Sequence, residues 1–242
     1  MQIDKPFFDH WKTIGAMTAD STNQDSLPDP VRRNWVWLTI QFFMSWLFAL
    51  FLRFRARGLE HVPAEGGALL IANHQSFLDP LLVGVALQRP VSYVARDSLF
   101  RIPLVGWVVR NTYVIPINRD AASADTIREA VRRMHHGFLL GVFPEGTRSA
   151  DGTIGEIKPG FIALARRGKL PIIPVGISGA HRAMPRGKLK VFFRNVRIVY
   201  GEPIPAEEVS ELARKGNEVQ FVEFIRTKVQ ACLDEADAWR LE

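Results

Sequence analysis

The chain has 242 residues, 47% of them apolar, enough for one domain with a full core and an appendage but not for two large domains. Its net charge of +6 admits nucleic acid, anionic lipid or phosphorylated partners, and with no zinc-ligand spacing, helix-turn-helix cue or aromatic RNA-binding signature the last two are favoured. The single cysteine, Cys232, excludes an intramolecular disulfide, fits a reducing compartment and reads as buried filler in a helical tail.

Residues 1–31 are polar and broken by Asp4, Pro6, Asp9, Asp25, Pro28 and Asp29, so no cleavable signal peptide is expected there. Residues 32–58 differ. Asn34 to Leu52 is a run of 19 uncharged residues, 15 of them apolar, with Trp35, Trp37 and Trp46 inside it and Arg32, Arg33, Arg53, Arg55 and Arg57 around it. As a helix it is roughly 28 Å long, close to the bilayer core of roughly 30 Å. Asn34, Gln41 and Ser45 recur on one stripe, which also suits a helix sunk partway into one leaflet with its tryptophans at the interface. Both readings predict membrane association; a helix buried in a soluble core is the alternative, disfavoured because the length and flanking arginines exceed what such a helix needs.

From Leu59 to the end, short apolar runs alternate with amphipathic segments, which predicts a single mixed-sheet α/β domain over residues 59–242. Strands are expected near Ala68–Ala72, Val91–Ala95, Tyr113–Ile117, Phe138–Phe143, Ile172–Val175 and Val196–Tyr200. Helices are expected at Pro80–Leu87, Ala122–His136, Gly160–Arg167 and Glu218–Leu241. His135 and His136 are adjacent on a helix without a partner at ligand spacing, so no metal is expected there.

The first strand, entered through Gly66 and Gly67, stops at Asn73-His74-Gln75-Ser76-Phe77-Leu78-Asp79. Asp79 followed by Pro80 reads as a helix N-cap with proline at the first helical position. On one continuous helix residues five apart are rotated by about 140°, so a turn is needed to bring Asp79 to His74. Once they meet, the carboxylate fixes the imidazole tautomer and leaves the other nitrogen free to take a proton from a hydroxyl. The spacing alone decides nothing, because a cap and a loop histidine would look the same. A second polar cluster at the end of an apolar run changes the weighting: Phe143-Pro144-Glu145-Gly146-Thr147-Arg148-Ser149.

Together these two blocks resemble the glycerolipid acyltransferase family, most closely its bacterial lysophosphatidic acid acyltransferases. Val114-Ile115-Pro116-Ile117-Asn118-Arg119 and Ile172-Ile173-Pro174-Val175-Gly176 match more loosely, and the likeness runs from about Leu59 to Pro205. Asn118, where relatives often carry an acidic residue, and Asn111-Thr112, where a glycine is usual, depart from the pattern. The resemblance implies transfer of a fatty acyl group from acyl-CoA or acyl-acyl carrier protein to the free hydroxyl of a lysophospholipid, without a cofactor. His74 would act as general base and Asp79 as its orienting carboxylate.

No G-x-S-x-G elbow occurs, since Gly176-Ile177-Ser178-Gly179-Ala180 fails the pattern, so a covalent acyl-enzyme is unsupported and direct attack is expected. Arg119 and Arg148, each following a strand, are the first candidates to grip the acceptor phosphate, with Arg96 and Lys158 behind them. Gly146 and Thr147 belong to the same binding turn, and Glu145 is expected to hold an arginine or bond the glycerol hydroxyl. Backbone amides around Gln75 to Phe77 or Pro144 to Gly146 are candidates for the oxyanion. Leu99, Phe100, Ile102, Leu104, Val105 and Trp107 form a candidate wall for an acyl chain. The expected product is phosphatidic acid, made on the cytoplasmic side of the inner membrane. Another lipid acceptor, such as glycerol 3-phosphate or a lyso-amino-acid lipid, and a non-catalytic lipid-binding module remain open alternatives.

Overall fold

The computed structural model describes residues 27–96, 100–117, 124–188 and 190–242. Within them seven strands form one mixed sheet: β1 (Arg55–Arg57), β2 (Ala68–Ala72), β3 (Val91–Arg96), β4 (Ile115–Ile117), β5 (Leu139–Val142), β6 (Ile172–Ser178) and β7 (Arg197–Tyr200). Their order is β1-β7-β6-β2-β5-β3-β4, and only β6 and β7 pair antiparallel. The helices are α1 (Trp35–Leu52), α2 (Asp79–Val85), α3 (Pro103–Asn111), α4 (Ala124–His136), α5 (Ile162–Gly168), α6 (Ala180–Ala183), α7 (Ala206–Leu212) and α8 (Glu218–Leu241).

The central strand β2 is buried at all five positions because both faces of the sheet are covered. Ala68, Leu70 and Ala72 join Phe48 and Leu52 of α1 and Leu82 and Val83 of α2 on one face. Leu69 and Ile71 join Met134 of α4, Ile162 of α5 and Phe221, Ile225 and Val229 of α8 on the other. Helix α8 packs closely over β6, where a Cβ on Gly176 would lie 2.2 Å from the Cys232 backbone. Burial there pushes the Cys232 thiol up to about 11, so it stays protonated filler.

The expected α/β architecture is present, with four additions: β1, α3, the short α6 and α7. The strand β1 was not expected, because Arg-Ala-Arg has no apolar alternation. Its edge is held instead by Trp239, which lies under the guanidinium of Arg57 at 3.9 Å and of Arg197 at 5.0 Å. Since β1 pairs with β7, the domain begins before the boundary expected at residue 58. The helices α3, α6 and α7 were likewise unforeseen.

Helix α1 docks along its whole length. Asn34 caps it by accepting from the Trp37 amide at 2.8 Å and donates to the Asn111 carbonyl at 2.8 Å. Gln41 donates to the carbonyls of Val85 and Leu87 at 3.0 and 2.8 Å. Phe48 and Leu52 enter the core. Two residues of the polar stripe therefore face the domain; the third, Ser45, is exposed. The outer face exposes Trp35, Phe42, Phe43, Trp46 and Leu50. By length and composition alone α1 could cross a membrane, but a helix pinned to the domain at both ends and the middle lies beside it rather than leaving it.

Candidate active site

The site is built at the carboxyl end of β2, where the ladder is handed to side chains. Asn73 takes over from the strand: its amide donates to the Ile177 carbonyl at 3.0 Å and accepts from the Ile177 N–H at 2.7 Å. The next residue, His74, is thereby fixed one step past the sheet. Its Nδ1 lies 2.8 Å from Asp79 Oδ2, which also accepts from the amides of Gln75 and Ser76 at 2.6 and 2.7 Å. Asp79 is fully buried, and burial pushes its carboxyl above the usual range while His74 and the two amides pull the other way. The Nδ1 contact places the His74 proton on that side and leaves Nε2 as the basic nitrogen.

The ring is oriented by packing as well. His74 stacks on Phe143 at 4.4 Å, and Phe143 stacks on Tyr93 at 6.0 Å. Room for Tyr93 exists because residue 141 is glycine; a Cβ there would lie 2.2 Å from the tyrosine ring. The backbone is clamped from the loop after β5. Glu145 Oε1 accepts from the His74 N–H at 2.7 Å, and the Ser149 N–H donates to the His74 carbonyl at 2.7 Å. The other Glu145 oxygen accepts from the Gly155 amide at 2.8 Å, and burial raises its carboxyl above the usual range.

His74 lines a cavity of about 1180 Å³. Its apolar walls come from Trp37, Ile40 and Met44 of α1, from Val91 and Val94 of β3, and from Val108 and Val109 of α3. Gly146, Thr147, Arg148, Lys158 and Arg186 form its polar side. The Lys158 ammonium folds beside Gly146, 3.4 Å from where a Cβ would be. Among the described residues no carboxylate is ion-paired to Arg148, Lys158 or Arg186. An apolar volume large enough for an acyl chain thus meets uncompensated positive charge beside one imidazole.

Known proteins resemble this chain in sequence and in fold. A family model described as Acyltransferase matches residues 53–178, from the end of α1 through β6. The chain belongs to the Acyltransferase family. Among curated acyltransferases, a 1-acyl-sn-glycerol-3-phosphate acyltransferase of Bacillus subtilis is 24% identical over 182 residues, 74% of this chain and 87% of that one. The chloroplastic 1-acyl-sn-glycerol-3-phosphate acyltransferase LPAT1 of Arabidopsis thaliana is 28% identical over 191 residues, 77% of this chain. The chain spans about half the length of the plant acyltransferases it matches, 53% and 44% for those of Arabidopsis thaliana and Brassica napus. The crystal structure of the 1-acyl-sn-glycerophosphate acyltransferase PlsC from Thermotoga maritima shares the fold. Its TM-score is 0.72 at 23% identity, covering 95% of this chain and 88% of that one.

Within this acyltransferase fold the residues expected from sequence fall into three groups. His74, Asp79, Gly146, Thr147, Arg148 and Lys158 come together around one cavity. Arg119 and Leu99 lie outside the described residues, and Arg96 is described only through its backbone, which closes β3 opposite Ile117. Three expectations need correction. Asp79 is the first residue of α2, with Leu78 at the N-cap position, and its carboxylate turns back to His74 rather than capping its helix. Glu145 binds two backbone amides instead of an arginine or an open hydroxyl site. The amides of Gln75 and Ser76 are spent on Asp79, and that of Gly146 donates to the Phe143 carbonyl at 3.1 Å, which leaves the Phe77 and Glu145 amides, without an acceptor among the described residues, as the candidates for an oxyanion. Among the expected wall residues, Ile102 and Trp107 are exposed, and α3 presents Val108 and Val109 to the cavity instead. Arg186 was missed; it sits far along the chain in a coil that carries no motif.

Proposed function

We propose that this acyltransferase esterifies the sn-2 hydroxyl of lysophosphatidic acid with the acyl group of acyl-CoA or acyl-acyl carrier protein, giving phosphatidic acid for phospholipid synthesis. The observation that carries the reading is the His74–Asp79 pair at 2.8 Å on the wall of a large apolar cavity whose polar side holds Arg148, Lys158 and Arg186. The names of the relatives point to the same acceptor.

In this mechanism His74 Nε2 takes the acceptor hydroxyl proton as the oxygen attacks the thioester carbonyl. The C–S bond breaks, the ester forms, and the imidazolium returns its proton to the departing thiolate. Asp79 holds the tautomer and stabilises the imidazolium. The guanidinium of Arg148 provides a planar fork for the acceptor phosphate, assisted by Lys158 and Arg186 as point and fork. The acyl chain lies against α1 and α3. With its outer aromatic face exposed, α1 rests in one leaflet of the membrane, the catalytic domain on the cytoplasmic side.

Two-substrate kinetics test this. Base catalysis is worth roughly 10²- to 10⁴-fold, so His74→Ala and Asp79→Asn lose at least about 10²-fold in kcat. Arg148→Lys keeps its charge and loses the fork, lowering kcat/KM for lysophosphatidic acid by roughly 10- to 150-fold while the KM for the thioester holds. The matching monoacylglycerol, which has no phosphate, is insensitive to Arg148→Lys. Near-normal turnover by folded His74→Ala sinks the mechanism, and equal losses on the two acceptors sink the phosphate assignment.

A further inference from the structure

A second group of arginines lies on the other side of β6. Arg182, Arg194 and Arg240 line a cavity of about 250 Å³ with Gly179, Phe193 and Asn195. Arg240 is fixed in place, donating from Nε to Ser178 Oγ at 2.7 Å and from Nη2 to Asp237 at 3.3 Å. Asp237 offsets that one charge. Arg182 and Arg194 have no described carboxylate within ion-pair distance. The segment from Arg182 to Arg197 adds Arg186, Lys188 and Lys190 and contains no acidic residue. Uncompensated arginines converging on a concave site fit an oxyanion with several acceptor oxygens.

The position of the niche selects which anion. Phe193, 64% exposed, stacks on Phe51 of α1 at 4.6 Å. The backbone beside it is tied to the end of that helix: Arg194 N–H donates to the Phe51 carbonyl at 3.2 Å and Val196 N–H to the Leu52 carbonyl at 2.9 Å. The niche therefore opens where the exposed aromatic face of α1 ends. A phosphate fits in about 250 Å³ and an acyl chain does not. Because one face of Phe193 is already stacked on Phe51, that ring continues the apolar surface and is not a free platform for a nucleotide base.

We propose that the niche binds the phosphodiester of an anionic phospholipid of the surrounding leaflet, a lipid that is not the substrate. Its acyl chains lie along Phe193 and the outer face of α1. This rests on the membrane attachment proposed above and adds a headgroup site separate from the cavity at His74. Such a site adds a second point of attachment to the bilayer at the end of α1.

The test is flotation of the full chain with vesicles of phosphatidylcholine alone and of phosphatidylcholine mixed with phosphatidylglycerol. Binding to the neutral vesicles reads the attachment through α1, and the added affinity on the mixed vesicles reads the niche. The pair Arg182→Ala and Arg194→Ala lowers the added affinity by roughly 10- to 150-fold, the value of a lost charge-assisted contact, and leaves neutral binding unchanged. The pair Arg182→Lys and Arg194→Lys shares most of that loss, because the forks are gone although the charge remains. Full retention by the lysine pair shows diffuse attraction and overturns the site. A rise in the KM for acyl-CoA on dispersed short-chain acceptor, with vesicle binding intact, assigns the arginines to the donor and overturns it too. Failure of neutral binding removes the attachment, and absence of acyl transfer removes the proposed reaction; the anionic increment reads the niche in either case.

Discussion

Glu145 and Asp79 are both buried carboxylates within reach of His74, and they do opposite work. Asp79 touches the ring; Glu145 touches only the backbone, joining the His74 amide to the Gly155 amide. Removing Glu145 therefore leaves two amides unsatisfied in the wall of the site, at about 1 to 3 kcal/mol each if they stay buried. Glu145→Ala is expected to lose both stability and kcat, and Glu145→Gln, which retains one carbonyl acceptor, to fall between it and the wild type in thermal unfolding and in turnover. Asp79→Asn behaves differently with pH. Burial raises the folded-state pKa of Asp79, so above that value the wild type carries an unfavourable buried charge that asparagine lacks. Protonation relieves it as pH falls through the raised pKa toward the ordinary carboxylate value of roughly 4. The Tm of Asp79→Asn relative to wild type should accordingly be highest at neutral pH and decline on acidification; a difference that grows on acidification contradicts the sign. The pairing of His74 with Asp79 was legible only with the second block, Phe143 to Ser149, beside it, because the spacing alone would equally suit a cap and a loop histidine. The role of Glu145 was not, since its partners are 71 and 10 residues away and are main-chain groups that no residue type announces.

At the scale of elements, sequence patterning located β2, β3, β5, β6, β7 and α8 well, because strands covered on both faces read as unbroken apolar runs. It failed at β1, whose Arg57 packs on the face of Trp239, and at α3. Gly106 inside α3 lowers helix propensity, yet a Cβ there would lie 2.3 Å from the Phe100 carbonyl. The nature of α1 was half legible. Its length and flanking arginines predict a membrane segment, and only the hydrogen bonds of Asn34 and Gln41 reveal that one side is part of the domain. A chain begun at Gly58 would lose β1 and the buried Phe48 and Leu52, each worth about 2 to 5 kcal/mol on truncation to alanine. That shortened chain is expected to be unfolded or insoluble rather than merely released from membranes. Within the full chain, Leu52→Ala should lower the Tm strongly, and Trp46→Ala, at 68% exposed, should leave it nearly unchanged while weakening vesicle binding. Comparable Tm losses for the two would contradict the assignment of the buried and exposed faces.

For the whole molecule, the sheet makes α1, the catalytic loop and the loop after β5 one packed body. Phe48 and Leu52 share a cluster with Ala72, the residue two before His74. Trp37, Ile40 and Met44 also line the cavity, so the helix proposed to meet the lipid also forms a wall of the cavity at His74. On the proposed function the acceptor then has no need of passage through water: it would arrive by lateral diffusion, and the search would be two-dimensional. Turnover should follow the mole fraction of lysophosphatidic acid in the bilayer rather than its amount per volume. Diluting the acceptor with inert phosphatidylcholine at constant bulk concentration is expected to slow the reaction in proportion, whereas a rate set by bulk concentration alone would mean that the chamber fills from solvent.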